Sequence, residues 1–151
     1  MNGRRYVIDS NALSKLTRPQ RASAFFREHC RVPSEVIHEA RFFADEGEFD
    51  HVEYSTTGSL LSVLREVMES VAIGDTGLID LYANKGAADP ILVACALEAK
   101  RKEEAFLLPM TWAIVTDDKA VRSKSVDFEI ETLSSAEFLA LLPRADRSAP
   151  A

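Results

Sequence analysis

The sequence predicts an α/β domain, a three-layer α/β/α sandwich around a central, mainly parallel sheet. Two apolar runs, residues 6–8 and 112–115, are too short for helices and rich in β-branched and aromatic residues, which is typical of buried strands. Helical patterns lie between such runs, and strands that alternate with helices indicate a parallel sheet covered on both faces. The chain of 151 residues suits one domain, residues 1–142, followed by a polar tail, residues 143–151, that we expect to be disordered.

The amino-acid composition argues against some classes of protein function. No run of about 18 apolar residues occurs, so no membrane span is predicted, and the N-terminal residues lack a signal-peptide pattern, which favours a cytoplasmic protein. The net charge of −6 argues against a protein that coats nucleic acid, but not against an enzyme that binds it locally through a metal and a few cations. Cys30 and Cys95 have no metal-site spacing, so we expect buried free thiols.

The first half of the chain predicts short helices around one further strand. The predicted order is strand 6–8, helix 11–16 with a break near Arg18 and Pro19, helix 20–29 with Phe25 and Phe26 inward, strand 30–32, and helix 34–46 ending at Gly47. Residues 48–58 are polar and irregular, and they fit either a loop or a poor edge strand.

The second half predicts two longer helices and two more strands. The predicted order is amphipathic helix 59–71, turn 74–77, short helix 78–83, break 84–86, a buried helix opened by Asp89 and Pro90 with a solvated end at 100–104, strand 112–115, edge strand 128–131, and helix 138–142 after a capping box at 134–137.

Acidic residues stand where these elements end or begin. Asp9 follows the first strand, and Asp117 and Asp118 follow strand 112–115, so the carboxylates converge at one edge if the two strands are parallel neighbours. Asp89 opens the buried helix, and Glu39 lies at the margin of the apolar stripe of helix 34–46. Each residue also has a purely structural interpretation, which is a helix cap, an Asx-turn or a solvated flank.

Other reactive side chains suggest no competing chemistry. His29, His38 and His51 lack the spacing of metal ligands, and we expect surface or packing roles for them. No Ser-His or Cys-His pair is indicated, so covalent catalysis has no support in the sequence. Glu35, one turn before Glu39, is a weaker candidate for the carboxylate set.

The ordered set of acidic residues resembles the PIN-domain family of metal-dependent ribonucleases, and most closely its VapC-type bacterial toxins. The matching segments are YVIDSN (6–11), VPSEVIHEA (32–40), AADPILVA (87–94) and IVTDD (114–118). The resemblance covers about residues 6–142, although no motif matches between residues 48 and 86. In the family the last acidic residue is the second after the Thr, which points to Asp118.

The resemblance implies an endoribonuclease that uses Mg²⁺ or Mn²⁺. Asp9, Asp89 and Asp118 would bind the metal directly, and Glu39 would bind it through water or orient the attacking water. Carboxylates suit these hard cations, and metal-assisted hydrolysis of a phosphodiester needs both charge neutralisation and an activated water. Whether one ion or two bind stays open. Asn11 and Thr116 would position phosphate or ligand waters, and Asp117 would support the ligands.

The same resemblance implies partners. These are an RNA substrate, a cognate antitoxin whose segment lies over the active site, and a second copy of the chain, with helix 59–71 available for either protein contact if it does not simply pack on its own core. Candidate contacts to RNA phosphates are Lys15, Arg18, Arg41, Lys85 and Arg122, which are otherwise solvated surface cations.

Two alternatives remain open at the level of sequence. The first is a PIN-like module that binds a partner without catalysis. The second is another divalent-metal phosphate hydrolase; however, an Asp-x-Asp phosphatase would need Asp at the position of Asn11, and a receiver domain would need a Lys after the last strand. Metal-dependent RNA cleavage by the pure protein, lost on Asp9→Asn, separates these interpretations.

Overall fold

The fold is organised around a parallel β-sheet. The computed structural model describes residues 3–44, 47–72, 74 and 89–142. Within that part of the chain the strands are β1 (Arg4–Ile8), β2 (Cys30–Pro33), β3 (Glu53–Tyr54), β4 (Thr111–Val115) and β5 (Glu131–Leu133). They form one sheet in the order β3-β2-β1-β4-β5, with every neighbouring pair parallel. This confirms the predicted fold class. Residues 48–58, which fitted either a loop or an edge strand, contain the short edge strand β3.

Helices cover both faces of this sheet. The described ones are α1 (Ser10–Ser14), α2 (Arg18–Arg21), α3 (Ala24–His29), α4 (Ser34–Ala40), α5 (Gly58–Glu69), α6 (Asp89–Glu103), α7 (Lys119–Asp127) and α8 (Ser135–Leu141). Tyr6 of β1 contacts Phe25 of α3 and Phe138 of α8 on one face. Helix α6 packs on β1, β2 and β4 from the other face, and α5 and α7 pack against α6.

Helix α6 extends from the carboxyl ends of the strands towards their amino ends. Its residues from Pro90 to Ala99 are all buried, as predicted, because the helix lies between the sheet and its neighbours α5 and α7. Asp89, at its start, shares a cavity with Asp9 after the end of β1, whereas Ala99 shares another with Arg5 near the start of β1. A helix of 15 residues spans about 22 Å, which is long enough to reach from one end of the strands to the other.

The strand order places a topological switch point between β1 and β4. The chain proceeds from β1 to β2 and β3 on one side, and from β4 to β5 on the other. The connections that leave β1 and β4 therefore diverge, which opens a crevice outside the carboxyl ends of these strands, where ligands bind in open α/β sheets. Ile8 is the register partner of Val115, so Asp9 and Thr116 begin the two diverging connections side by side.

Several predicted boundaries are wrong. Helix 20–29 is divided into α2 and α3, because Ser23 caps a new helix by accepting a hydrogen bond from Phe26 N. Helix 34–46 ends at Ala40, and Phe43, which lies beyond that end, is 42% exposed. The predicted strand 128–131 begins only at Glu131, because the preceding turn places Glu129 at φ 57°. Helix α7 was not predicted.

Other expectations are confirmed or fall outside the described residues. Cys30 and Cys95 are buried free thiols. Among the described residues, no helix has both the length and the apolar character needed to cross a membrane. Most of the predicted turn 74–77, the elements within 78–86, and the tail 143–151 lie outside the described part of the chain.

Candidate active site

The carboxylates that follow β1 and β4 line one cavity with the carboxylate that opens α6. This acidic cavity has a volume of about 200 Å³ and lies at the switch point between β1 and β4. Its acidic lining residues are Asp9, Asp89, Asp117 and Asp118. Ser10, Asn11, Val36 and Leu92 complete the lining, so Asn11 lies where the sequence predicted a residue that positions phosphate or water.

Asp9 is fixed by hydrogen bonds at the end of β1. It is only 7% exposed, and its Oδ1 accepts a hydrogen bond from Ala12 N at 2.6 Å, so it caps α1. Burial raises the pKa of Asp9, while hydrogen bonds from the Thr116 side chain and Ala12 N oppose that rise. The buried Thr116 therefore helps to hold Asp9 in its charged form.

Asp118 is fixed in a similar way at the start of α7. Its Oδ1 accepts hydrogen bonds from Ala120 N at 2.7 Å and Val121 N at 3.1 Å, and its own N–H donates to Thr116 Oγ1 at 3.1 Å. Asp9 thus caps α1, which confirms its capping interpretation, whereas Asp118, for which the sequence suggested an Asx-turn, caps α7. The two residues nevertheless line the same cavity, so capping and a place in the site are compatible.

Asp89 differs from the other two because no described residue donates a hydrogen bond to its carboxylate. Burial, followed by the negative charges of Asp118, Asp9 and Glu39 in that order, raises the pKa of Asp89 to about 6. A carboxylate in the field of neighbouring carboxylates is stabilised in its charged form by an added cation.

Asp117 lines the cavity, but its carboxylate is held by partners on α1 and α8. Lys15 Nζ lies 2.8 Å from Asp117 Oδ2, and Ser135 donates to the same carboxylate from both its N–H (2.9 Å) and its hydroxyl (2.6 Å). These hydrogen bonds, led by that of Lys15, lower the pKa of Asp117 to about 2. Asp117 thus joins the segments after β1, β4 and β5, and its predicted support of metal ligands stays a prediction.

Glu39 is not among the residues that line the acidic cavity. It is exposed on α4, whose Val36 does line the cavity, and its charge is close enough to raise the pKa of Asp89. Its role in water binding stays a prediction. Glu35 is also exposed and absent from the lining.

The predicted phosphate-binding cations have different surroundings. Lys15 is engaged with Asp117, as described above. Arg122 lies in the first turn of α7, 3.4 Å from Glu137, and its buried Nε has no hydrogen-bond partner. Arg41 is exposed and stacks over Phe42 at 5.0 Å. Arg18 is exposed in α2, and Lys85 lies outside the described residues.

The donor set of the acidic cavity fits a hard divalent cation in its chemistry. Asp9, Asp89 and Asp118 would supply oxygen ligands from three separate segments, and Mg²⁺ needs only one or two carboxylates because it keeps several waters. Nevertheless, across residues 3–44, 47–72 and 89–142, no three His, Cys, Asp or Glu side chains are grouped closely enough to hold an ion together.

The link between Lys15, Asp117 and Ser135 was not predicted. The sequence assigned Lys15 to phosphate and gave Ser135 no role beyond the start of a helix. A usable signal was present, since the capping box from Ser134 to Glu137 starts α8 directly after β5. If β5 is a parallel neighbour of β4, Ser135 must lie at the same edge as Asp117.

No protein-family model matches the chain, and no curated protein matches it.

Lys15→Met should lower the free energy of unfolding at pH 7 by up to about 1 kcal/mol, as expected for a partly exposed ion pair. The depressed pKa of Asp117 stabilises the fold above about pH 4 and is lost as pH falls towards 2. The difference between variant and wild type should therefore shrink between pH 5 and pH 3 in urea denaturation. Lys119→Met, at an exposed cation of α7, is the control. A deficit that stays constant with pH would contradict this role of Lys15.

Proposed function

We propose that this protein is a divalent-metal-dependent endoribonuclease of the PIN-domain type and the toxin of a toxin–antitoxin pair. The observation that carries the proposal is the meeting of Asp9, Asp89 and Asp118 in one cavity at the switch point of a parallel sheet. These residues are far apart in sequence and come from three different elements. The order of the motifs and the observed fold class both agree with the family resemblance.

In the proposed reaction the protein's main task is to arrange negative charge around a cation. Asp9, Asp89 and Asp118 would hold Mg²⁺ or Mn²⁺, which when bound supplies an activated water and neutralises charge on the phosphate. The capping bonds from Ala12 N and Ala120 N restrict the Asp9 and Asp118 carboxylates, so less conformational freedom is lost on binding. Glu39 is the proposed group that orients the attacking water, and Asn11, which lines the cavity, would contact phosphate.

A non-catalytic PIN-like binding module is the second candidate, and one observation favours it. The described carboxylates do not form a ready-made group of three around one point. A protein that only binds a partner would not need such a group, whereas a nuclease must assemble it when metal and substrate arrive. The two candidates differ in a direct way, because only the nuclease consumes RNA.

RNA cleavage with and without metal tests the proposed function. The pure protein should cleave single-stranded RNA in Mg²⁺ or Mn²⁺ and stop in EDTA. Because water rather than the neighbouring 2′-hydroxyl attacks the phosphate, the products should carry no 2′,3′-cyclic phosphate. Cleavage that continues in EDTA, or cyclic phosphate ends, would contradict the metal-based mechanism. Binding of RNA with no turnover in any divalent ion would favour the binding module.

RNA affinity should fall with salt, and Arg122 should contribute to that dependence. Each phosphate contact that a cation makes in single-stranded nucleic acid adds about 0.7 to the slope of log K against log salt concentration. Arg122→Gln should therefore reduce the slope by roughly that amount, measured by fluorescence anisotropy with labelled RNA. Arg65→Gln, at an exposed arginine paired with Glu69, is the control. An unchanged slope in Arg122→Gln would exclude Arg122 as a phosphate contact.

The toxin assignment includes a cognate antitoxin and dimerisation. Helix α5 buries Leu60 and Val67 in the core and packs on α6, so its main role is structural, while Leu61 is exposed. Expression of the wild-type protein in a bacterial host should arrest growth, and Asp9→Asn should relieve the arrest. Equal growth inhibition by both proteins would argue against a toxin that acts through this site.

A further inference from the structure

A second and larger pocket lies near the amino ends of β1 and β4, whereas the acidic cavity lies at their carboxyl ends. It has a volume of about 710 Å³ and is lined by Arg5 of β1, Arg31 of β2 and Trp112 of β4. Arg5 and Trp112 are register partners near the start of their strands, and Ala99 at the end of α6 adjoins them. The proposed nuclease chemistry uses none of these residues. We call this the arginine pocket.

The arginine pocket contains hydrogen-bond donors that lack acceptors. The side chain of Arg5 makes no hydrogen bond or ion pair with any described residue, and its guanidinium stacks over the Trp112 ring at 5.9 Å. Among the described residues, neither the buried Nε of Arg5 nor the buried Nε1 of Trp112 has an acceptor, although Trp112 is only 8% exposed. Both groups can only donate a hydrogen bond, so each requires an acceptor atom such as a carboxylate or carbonyl oxygen.

Arg31 adds a second guanidinium that has no carboxylate partner among the described residues. Its Nη1 donates to two backbone carbonyls, Arg27 O at 2.9 Å and Cys30 O at 2.6 Å. Burial lowers the pKa of Arg31, and the positive charge of Arg5 lowers it further. The two arginines therefore repel each other, and an anion placed between them would relieve that repulsion.

The carboxylates in the walls of the pocket are already satisfied by other donors. Glu98 accepts hydrogen bonds from Tyr54, Ser59 and Lys102. Glu103 accepts from the backbone N–H of Met110, and Glu53 accepts from the hydroxyl of Ser34. None of these three carboxylates pairs with Arg5 or Arg31, so among the described residues both arginines remain available for an anion from another molecule.

An exposed apolar segment borders the same pocket. Phe106 lines the pocket and is 62% exposed, and the next two residues, Leu107 and Leu108, are 95% and 86% exposed. Three consecutive large apolar side chains in water are unusual for a surface without a partner, and such patches mark interaction sites. Apolar surface thus lies directly beside unpaired cationic donors.

We propose that the arginine pocket binds a peptide segment of a partner protein in which an Asp or Glu is flanked by apolar side chains. The carboxylate pairs with Arg5 and Arg31, which present donors suited to bidentate contact. The flanking apolar side chains cover Phe106, Leu107 and Leu108. This inference does not depend on the proposed nuclease activity, because the two sites share no residue and lie at opposite ends of the strands.

The shape and charge of the pocket favour a peptide over a lipid surface. A membrane would bring many anionic headgroups against Glu53, Glu98 and Glu103, whereas a peptide brings a single carboxylate to the two arginines. A small organic anion would pair with the arginines but leave Leu107 and Leu108 uncovered. A peptide with one carboxylate between apolar residues satisfies both the donors and the apolar border.

Selection from a random peptide library, followed by titration, tests the proposal. Peptides of about 12 residues that lack Trp are selected on the immobilised full chain and titrated while Trp112, the only tryptophan, reports binding by fluorescence. Selected peptides should share an Asp or Glu beside Leu, Ile or Phe. Changing that residue to Asn or Gln, or making Arg5→Gln in the protein, should weaken binding about tenfold or more.

Matched variants make the result decisive. Arg31→Gln should weaken binding as Arg5→Gln does, which guards against misfolding of either single variant, and Phe106→Ser should weaken it to a lesser extent. Arg65→Gln should bind as the wild type does. The proposal is overturned if the selected peptides lack an acidic residue, if neither arginine variant affects binding, or if vesicles with anionic phospholipid or free phenylacetate bind more tightly than the peptides.

Discussion

Replacing Asp9 by Asn should reduce RNA cleavage by about 100-fold or more while leaving the fold intact. Asn caps helices about as well as Asp, so the hydrogen bond from Ala12 N that holds the start of α1 is retained. The substitution removes the negative charge and exchanges one acceptor oxygen for an NH₂ group. Loss of metal-based charge stabilisation is worth several kcal/mol in the barrier. Single-turnover cleavage of a labelled RNA in Mn²⁺ measures the effect. Asp118→Asn should behave in the same way, because Asn can also cap α7.

Two further Asp→Asn variants distinguish the loss of a carboxylate in the acidic cavity from the loss of negative charge elsewhere on the protein. Asp127→Asn, at an exposed aspartate near Lys124 at the end of α7, should cleave at the wild-type rate. Asp117→Asn should show a smaller loss than Asp9→Asn, because the Asp117 carboxylate is occupied by Lys15 and Ser135. Cleavage by Asp9→Asn at more than half the wild-type rate would contradict the proposed site.

Asp89→Asn should make the metal-free protein more stable at pH 7, by roughly 1–2 kcal/mol. The raised pKa of Asp89, about 6 against an ordinary 3.8, means that the folded protein binds this proton more tightly than the unfolded chain. Wild-type stability therefore falls, relative to the variant, as pH rises from about 4 through 6. The favourable position of a negative charge at the start of α6 opposes this gain by about 0.5 kcal/mol, which is not enough to reverse it.

Divalent metal should reverse that order of stability. A cation that binds the folded carboxylates stabilises the wild type by mass action, and Asp89→Asn should gain much less. Melting temperatures of both proteins at pH 5 and pH 7, with and without Mn²⁺, measure the two effects together. An equal gain from Mn²⁺ in both proteins would mean that Asp89 is not a ligand. Stability of the metal-free wild type that rises between pH 4 and pH 6, relative to the variant, would contradict its raised pKa.

The elements that carry the site could be predicted from local pattern. Strand 112–115 and the helix opened by Asp89 and Pro90 are strongly apolar, and burial on all sides leaves an unmistakable hydrophobic run. The placement of Asp9 and Asp118 at one edge followed from parallel pairing, a property of the fold class. The order of the strands, which creates the switch point, had no comparable signal in the sequence.

The remaining features depend on contacts between distant residues. Helix α7 was missed because it buries only Val121 and Ser125 and has little apolar periodicity, so its cap at Asp118 was interpreted as a turn. Helix α4 ends at Ala40 although the helical pattern continues, since the apolar Phe42 and Phe43 remain exposed. The anchoring of Asp117 by Lys15 spans 102 positions, and the pairing of Arg5 with Trp112 depends on strand register.

Direct titration with Mn²⁺ tests the central claim, that the acidic cavity is a metal site. Isothermal titration calorimetry of the metal-free protein at pH 7 should show Mn²⁺ binding that Mg²⁺ competes for. Asp9→Asn, Asp89→Asn and Asp118→Asn should each weaken this binding about tenfold or more, whereas Asp127→Asn should not. Absence of Mn²⁺ binding by the wild type, or binding that all three cavity variants retain unchanged, would contradict the claim.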